Sequence, residues 1–271
     1  MSSATATGGH LLGGRTADVR VERLTKRYTS GGDDVVAMAD VTLHVASGEF
    51  VAVVGASGCG KSTLLRVLAG FERASGGVVE VGGAAVTAPG PDRGVVFQDY
   101  GLFPWLSVRE NVAYGPARKG LPRAETRRIA DEFIAAVGLE RFAAKYPGQL
   151  SGGMQQRVAI ARVLANDPSL LLMDEPFGAL DALTRSGLQA ELRRIHRETG
   201  TTVVFVTHSI EEAVYLADRV VVMAGGASHG VPGHVRAVVP VDLAERDVTS
   251  PGFNAVERRI TALVHEPVGR G

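Results

Sequence analysis

Gly55-Ala56-Ser57-Gly58-Cys59-Gly60-Lys61-Ser62-Thr63 is a run of small residues leading into a lysine and two hydroxyls, and that combination suits phosphate chemistry. A nucleoside triphosphate carries several negative charges, and a loop with little side-chain bulk lets backbone N–H groups and a helix start approach them closely. Lys61 then adds a cation for the outer phosphates, and the Ser62 hydroxyl is placed to ligate Mg²⁺. A second chemical group is Asp174-Glu175, in which Asp174 can hold Mg²⁺ while Glu175, pointing elsewhere along a strand's alternation, can orient or deprotonate an attacking water. General-base assistance of that kind contributes about 10²–10⁴ in rate. The third is Ser151-Gly152-Gly153, an N-cap hydroxyl followed by two glycines that leave the first N–H groups of a helix bare. It reads as a second anion site in a chain that already has one. Plainer readings exist for each: a glycine turn, a pair of solvated carboxylates, an ordinary capped helix. The last explains the serine but not the paired glycines, and the loop pattern alone leaves kinases, GTPases and ATPases open.

Elements of defined type must hold these groups. Residues 50–54 (Phe-Val-Ala-Val-Val) form a short apolar run suited to a buried parallel strand, and Leu64, Leu65 and Leu68 have helical spacing just after the loop. A second apolar run over 170–173 delivers Asp174 and Glu175 to the carboxyl edge of the sheet, where ligands of open α/β folds collect. From Ser151 a helix follows with Met154, Val158, Ala161 and Leu164 on its spacing, closed by Asn166-Asp167-Pro168. Two further apolar runs end in polar residues: Gln98 follows Val95-Val96-Phe97, and His208 follows residues 203–207, just before Ser209 and Glu212 cap another helix. Leu188, Leu192 and Ile195 mark a helix ending near Gly200, and Ile129, Phe133 and Val137 mark one over 124–137. Gly138 and Pro147-Gly148 punctuate that middle part, and a terminal helix is expected from about 254 to 264. The pattern is α/β: one nucleotide lobe on a parallel sheet, interrupted by a helical lobe.

On these residues the chain resembles the ATP-binding cassette (ABC) family, over roughly residues 18 to 225. Leu150-Ser151-Gly152-Gly153-Met154-Gln155-Gln156-Arg157 is similar to the family's signature motif, which implies contact with the γ-phosphate of ATP held by a partner subunit. The resemblance further implies that Tyr28 stacks on adenine, that Gln98 senses Mg²⁺ and the attacking water, and that His208 is the switch histidine near the γ-phosphate. Gly178-Ala179-Leu180-Asp181 resembles the loop that joins two protomers, with Asp181 also able to serve as a helix N-cap. Outside the family reading, Tyr28 is an exposed strand-end aromatic, Gln98 a strand terminator and His208 a structural histidine. The implied fold is a P-loop NTPase core with a mostly parallel sheet, an antiparallel β subdomain and an α-helical subdomain inserted at about 99–160. The implied limits are a tail over 1–18, an ATPase domain over 19–245 and a helical extension over 246–271.

The implied activity is ATP hydrolysis by a homodimer with two ATP molecules at its interface. Its partners would be a transmembrane permease and, in the same system, an extracytoplasmic substrate-binding protein, which places the chain peripherally on the cytoplasmic face of the membrane. Residues 92–105, residues 173–181 and the ending Val248-Thr249-Ser250-Pro251-Gly252-Phe253-Asn254 resemble importers of nitrate, sulfonates or taurine, whereas the loop over 225–234 departs from the shorter Arg-Pro-Gly turn usual there. Tyr100-Gly101-Leu102-Phe103-Pro104-Trp105-Leu106 holds the only tryptophan of the chain and corresponds to the flank of the family's groove for a permease helix.

Composition agrees. The chain has 271 residues, 45% of them hydrophobic, enough for a core of ordinary size. Lysine plus arginine equal aspartate plus glutamate at 29 each, so no global basic field argues for nucleic acid. A single cysteine excludes an internal disulfide, and its position near a helix start could acidify it. His229 and His234, in a loop without acidic or thiol companions, read as solvated groups and not as metal ligands. The stretch 1–18 is rich in Ser, Ala, Thr and Gly, reads as a loose tail and lacks the pattern of an export signal.

Overall fold

A computed structural model describes residues 15–30, 33–178, 180–226 and 229–267. In chain order the strands are β1 (Val19–Ser30), β2 (Asp33–Val45), β3 (Phe50–Gly55), β4 (Gly76–Val81), β5 (Ala84–Ala85), β6 (Arg93–Val96), β7 (Leu170–Asp174), β8 (Thr202–Val206), β9 (Arg219–Gly226) and β10 (Val231–Pro240). The helices are α1 (Lys61–Ala69), α2 (Val108–Arg118), α3 (Arg123–Ala136), α4 (Gly152–Leu164), α5 (Ala182–Thr199), α6 (Ile210–Leu216) and α7 (Pro251–His265). Among the described residues the strands form one sheet in the order β5-β4-β1-β2-β10-β9-β3-β8-β7-β6. The half from β9 to β6 is parallel, with Phe50 opposite Val203, Val51 opposite Arg219, Leu170 opposite Thr202 and Arg93 opposite Leu170. β1, β2, β4 and β5 pair antiparallel and make the second half.

All six residues of β3 are buried, as expected of a strand covered on both faces. Its alternation still sorts them: Phe50, Ala52 and Val54 face the core beneath α4 to α7, while Val51 and Val53 face the core that α1 shares with β1 and β2. The parallel half is therefore a rigid plate, and the loops at its carboxyl edge are the positions from which side chains converge.

The helical insert consists of α2, α3, α4 and two short 3-10 turns, Glu140–Phe142 and Pro147–Gln149. α3 buries Thr126, Ala130, Phe133 and Ile134, so the buried face is rotated slightly from the one expected, and Ile129 is only half-buried. α2 was not expected from the sequence, because Pro116 and Gly115 interrupt its periodicity. Its start is nonetheless a capping box: Ser107 Oγ accepts from Glu110 N at 3.3 Å while Glu110 Oε2 accepts from Ser107 N at 2.7 Å. Buried Asn111, on α2, ties down the segment before it, donating to the carbonyls of Phe103 and Leu106 at 3.1 and 3.0 Å and accepting from Phe103 N at 2.9 Å.

Three boundaries differ from expectation. The loop over 225–234 is the tip of an antiparallel hairpin, with Val231 opposite Gly226, so His234 stands in a strand; only His229 remains in the connection, exposed. Among the described residues no cluster of three His, Cys, Asp or Glu side chains could hold a metal. Ala17, expected within a loose tail over 1–18, is buried and its carbonyl accepts from Thr202 Oγ1 at 2.7 Å; residues 1–14 lie outside the described ones. The C-terminal helix starts at Pro251, capped by Ser250, and its Phe253 and Ile260 are fully buried in the main core. Among the described residues no helix is long and apolar enough to cross a membrane.

Candidate functional site

The loop between β3 and α1 folds as its glycines require. Gly55 has φ 154°, and a Cβ there would stand 2.3 Å from the Met223 carbonyl oxygen, so no side chain fits beside β9. Gly60 caps α1 at φ 100° with no side chain closing the helix start, which leaves the first N–H groups of α1 directed at the loop. Lys61 is only 5% exposed, and its ammonium donates to the Gly55 and Ala56 carbonyls at 2.8 and 3.1 Å. A phosphate entering the loop offers that ammonium a charged acceptor in place of two neutral ones.

Across the loop, Ser62 Oγ donates to Asp174 Oδ1 at 3.2 Å, so the end of β7 and the first turn of α1 already meet. Both oxygens are hard donors, the chemistry Mg²⁺ takes, and they fit such an ion. Glu175 follows with φ 46°, a left-handed backbone that a non-glycine residue adopts only under constraint; its N–H is held by the Val206 carbonyl at 2.9 Å. The turn swings its carboxylate out of the β7 line toward the end of β8. There His208 Nε2 lies 2.5 Å from Glu175 Oε1. Lys61, Ser62, Glu175 and His208, with Ser57 and Gly58, line one open cleft of about 210 Å³.

Cys59 does not behave as the helix-start argument suggests. Its thiol is fully buried, and burial pushes it above the usual thiol range despite Lys61 nearby, so it is a packing group and not an acidified one.

Tyr28 stands on β1, 37% exposed, and its hydroxyl donates to Glu72. Lys26 Nζ sits 4.7 Å from the ring centroid. These fixing groups were not legible in the sequence, since Glu72 lies 44 positions away. Gln98 is exposed just beyond β6, close enough to Gly178 that a Cβ on that glycine would be 3.7 Å from Gln98 Nε2.

The Ser151 group stands apart from the cleft. Ser151 Oγ accepts from Met154 N at 3.4 Å as the N-cap of α4, and Ser151 and Gly152 are exposed. Gly153 has a packing cause in addition to any anion role: a Cβ there would meet Thr184 Cγ2 at 2.2 Å, so the glycine lets α4 pass the first turn of α5. Asp181 caps α5, accepting from Thr184 N at 3.0 Å, and that backbone hydrogen bond holds its carboxyl below the usual range. Ala179 lies outside the described residues. The structure thus gathers Lys61, Ser62, Asp174, Glu175 and His208 at one edge, and sets Ser151 to Gly153 beside Asp181 on a neighbouring surface.

The aromatic segment is split in the same way. Phe103 packs on Tyr114 at a centroid distance of 4.6 Å, while Trp105 is 71% exposed.

With this geometry in hand, the sequence profile of the ABC transporter family matches residues 38–178. An uncharacterised ABC transporter ATP-binding protein of Methanocaldococcus jannaschii is 50% identical over 251 residues, 92% of each chain. The taurine import ATP-binding protein of Roseobacter denitrificans is 49% identical over 205 residues, 75% of this chain and 76% of that one. The bicarbonate transport ATP-binding protein of Synechococcus elongatus is 46% identical over 252 residues; these cover 92% of this chain but only 38% of that longer protein. Among solved structures, a dimeric ATP-binding cassette in a post-hydrolysis state with ADP and Pi superposes with a TM-score of 0.72 at 34% identity, over 83% of this chain and 99% of that one.

Proposed function

Because the chain belongs to the ABC transporter family and is one of its ATP-hydrolysing cassettes, we propose that it powers an importer of a small anion or sulfonate through a separate permease. The observation that carries the reading is the division of the phosphate chemistry. One edge holds Lys61, Ser62, Asp174, Glu175 and His208 together, while the helix start at Ser151 and Gly152 is exposed and does not line that cleft. A second copy, turned head to tail, would complete each site: the loop of one chain and the Ser151 helix start of the other would share one γ-phosphate.

In the proposed reaction Lys61 leaves the Gly55 and Ala56 carbonyls for the outer phosphates, and the N–H groups of α1 take the β-phosphate. Glu175 holds the attacking water and takes its proton as the water oxygen bonds to the γ-phosphorus and the bond to ADP breaks. His208 then turns from Glu175 to the γ-phosphate, and Gln98 monitors the water from beyond β6. Ser62 and Asp174, with Gln98, would hold Mg²⁺, which supplies charge neutralisation on the phosphate oxygens. Tyr28 offers its ring to adenine. Asp181 and its loop meet the partner chain. Binding joins the pair through a shared anion, and hydrolysis removes that anion, so closure and opening move the attached permease.

Exposed Trp105, with Phe103 packed behind it, supports permease docking, since a large aromatic on a prepared surface is a typical interface anchor. The anion class rests on the taurine import and bicarbonate transport relatives and on the resemblance of residues 92–105. The test is co-purification with membrane subunits, followed by ATPase assays in vesicles with substrate-binding proteins charged with nitrate, bicarbonate, taurine or an alkanesulfonate. Stimulation by one of these anions or sulfonates alone supports the reading; stimulation only by a solute with neither a net negative charge nor a sulfonate would sink the substrate class, and failure of any membrane subunit to co-purify, with ATP turnover indifferent to permease-containing vesicles, would sink the transport role.

A further inference from the structure

Glu212 is charged, 6% exposed and lies outside the cleft. Expected as half of a capping box with Ser209, it does something else. Its backbone N–H donates to Ser209 Oγ at 3.2 Å, but its carboxylate turns back to accept from Thr207 Oγ1 at 2.6 Å. Thr207 Oγ1 in turn accepts from Ser209 N at 3.0 Å. His208 is therefore bracketed: the residue before it and the residue after it are both tied to Glu212.

The other carboxylate oxygen looks the opposite way. Glu212 Oε1 lies 3.7 Å from Arg185 Nε, and Arg185 Nη2 donates to the Leu180 carbonyl at 2.8 Å. One carboxylate thus stands between the segment that carries His208 and the loop that ends in Leu180 and Asp181. Arg185 Nε is buried and has no hydrogen-bond acceptor in reach. A slight approach of α5 toward α6 would turn the 3.7 Å contact into a hydrogen bond and remove the cost of an unsatisfied buried donor.

Burial, reinforced by the neighbouring charge of Glu211, pushes the Glu212 carboxyl upward against the pull of Thr207, Arg185 and Gln189. A purely structural filler at such a site is cheaper as an apolar group of similar volume. The two segments that the carboxylate joins give it a further role.

We propose that Glu212 is a positioning residue that sets His208 and the Leu180 loop in register, so that engagement of the loop by a second chain and placement of the histidine on phosphate occur as one event. The proposal rests on the role given above to His208. Thr207 is its most direct probe, because valine keeps the shape of threonine and removes the hydroxyl that links Ser209 N to Glu212, and the double variant separates the two contacts.

Full-length wild type, Thr207→Val, Thr207→Ser, Glu212→Gln and the double variant Thr207→Val/Glu212→Gln are compared for steady ATPase, for ATP binding by a fluorescent analogue, and for Tm. The expected result is a fall in kcat of tenfold or more for Thr207→Val, with KM and analogue affinity within about twofold of wild type. Thr207→Ser restores kcat to within about threefold, and the double variant is no worse than the poorer single, as for groups acting as one unit. Wild-type kcat in Thr207→Val, failure of serine to rescue it, or additive losses in the double variant would overturn the proposal. Should Glu212→Gln not fold, the Thr207 pair decides alone. A His208→Ala control separates the two readings: full activity there removes the histidine's role, whereas an inactive His208→Ala beside an active Thr207→Val removes only Glu212's.

Discussion

Two helix starts in this chain carry glycine in their first turn or cap, and they differ in what surrounds them. At α1 the start lies in a walled though open cleft: β3 feeds it from within the sheet, Lys61 is buried beside it, and Asp174 and Glu175 form the far wall. At α4 the start is exposed, sits on the helical insert, and has only its own Ser151 hydroxyl as a cap. The comparison teaches that equal backbone chemistry does not make equal sites. Several charged groups converging on one cleft can support a reaction, while an isolated helix start can contribute only when something else brings it an anion.

The sharpest way to break this contrast is at the cleft. Glu175→Gln keeps shape and hydrogen bonding but removes the base, so kcat should fall by about 10²–10⁴ while ATP binding persists. Size-exclusion chromatography with ATP should then show a stable dimer; a monomer at saturating ATP, or brisk turnover, would remove the roles given to Glu175 and to the second chain.

The exposed start is tested by sharing. Lys61→Ala and Ser151→Arg should each be inactive alone, one lacking the cation and the other blocking the exposed helix start. Mixing the two chains should restore measurable hydrolysis, because mixed pairs contain one intact combination of loop and helix start. No recovery, with both chains folded by circular dichroism, would mean that every contact arises within a single chain.

The insert that carries the open start also presents Trp105. Trp105→Ala should weaken permease docking by about 2 kcal/mol or more, as for an interface anchor. Its effect on the Tm of the isolated chain should be small, because the side chain is 71% exposed.

The smallest effect concerns the foundation of the cleft. His196 packs edge-on against Phe50 at 5.2 Å and its Nε2 bonds the Gly48 carbonyl at 3.1 Å, just before β3. Burial holds its pKa below the ordinary 6.5, with Asp218 opposing and Arg197 reinforcing that shift. The unfolded chain therefore binds the extra proton first, and stability should decline as pH falls below about 6.5 toward the folded-state value. His196→Phe should flatten that part of the Tm profile between pH 7 and 5; an unchanged slope would assign it to other groups.

Much of the site was legible because its parts are contiguous. Residues 50–69 contain strand, loop and helix in twenty consecutive positions, so glycine spacing and apolar runs define the phosphate edge locally. The same holds for Asp174 and Glu175 at the end of β7, and for Ser151 at the start of α4. α2 was missed since a proline and a glycine blur its period, although Ser107 and Glu110 carried the capping signal. The hairpin around His234 was read as a loop because glycines there reflect bulged strand pairing and close approach to the phosphate loop: a Cβ on Gly233 would meet the Cys59 carbonyl oxygen at 2.1 Å.

By itself the sequence pointed to residues suited to phosphate, to strand ends that carry acid and histidine, and to two glycine-bearing helix starts. Tertiary structure alone decided that His208 meets Glu175, that Ser62 meets Asp174, that Cys59 is buried out of chemical use, and that Glu212 stands between two loops. The reason is physical. Short-range pattern records backbone conformation and the face a side chain takes, but which distant strand ends share an edge depends on sheet order, and the burial that shifts a thiol or a carboxylate depends on everything packed around it.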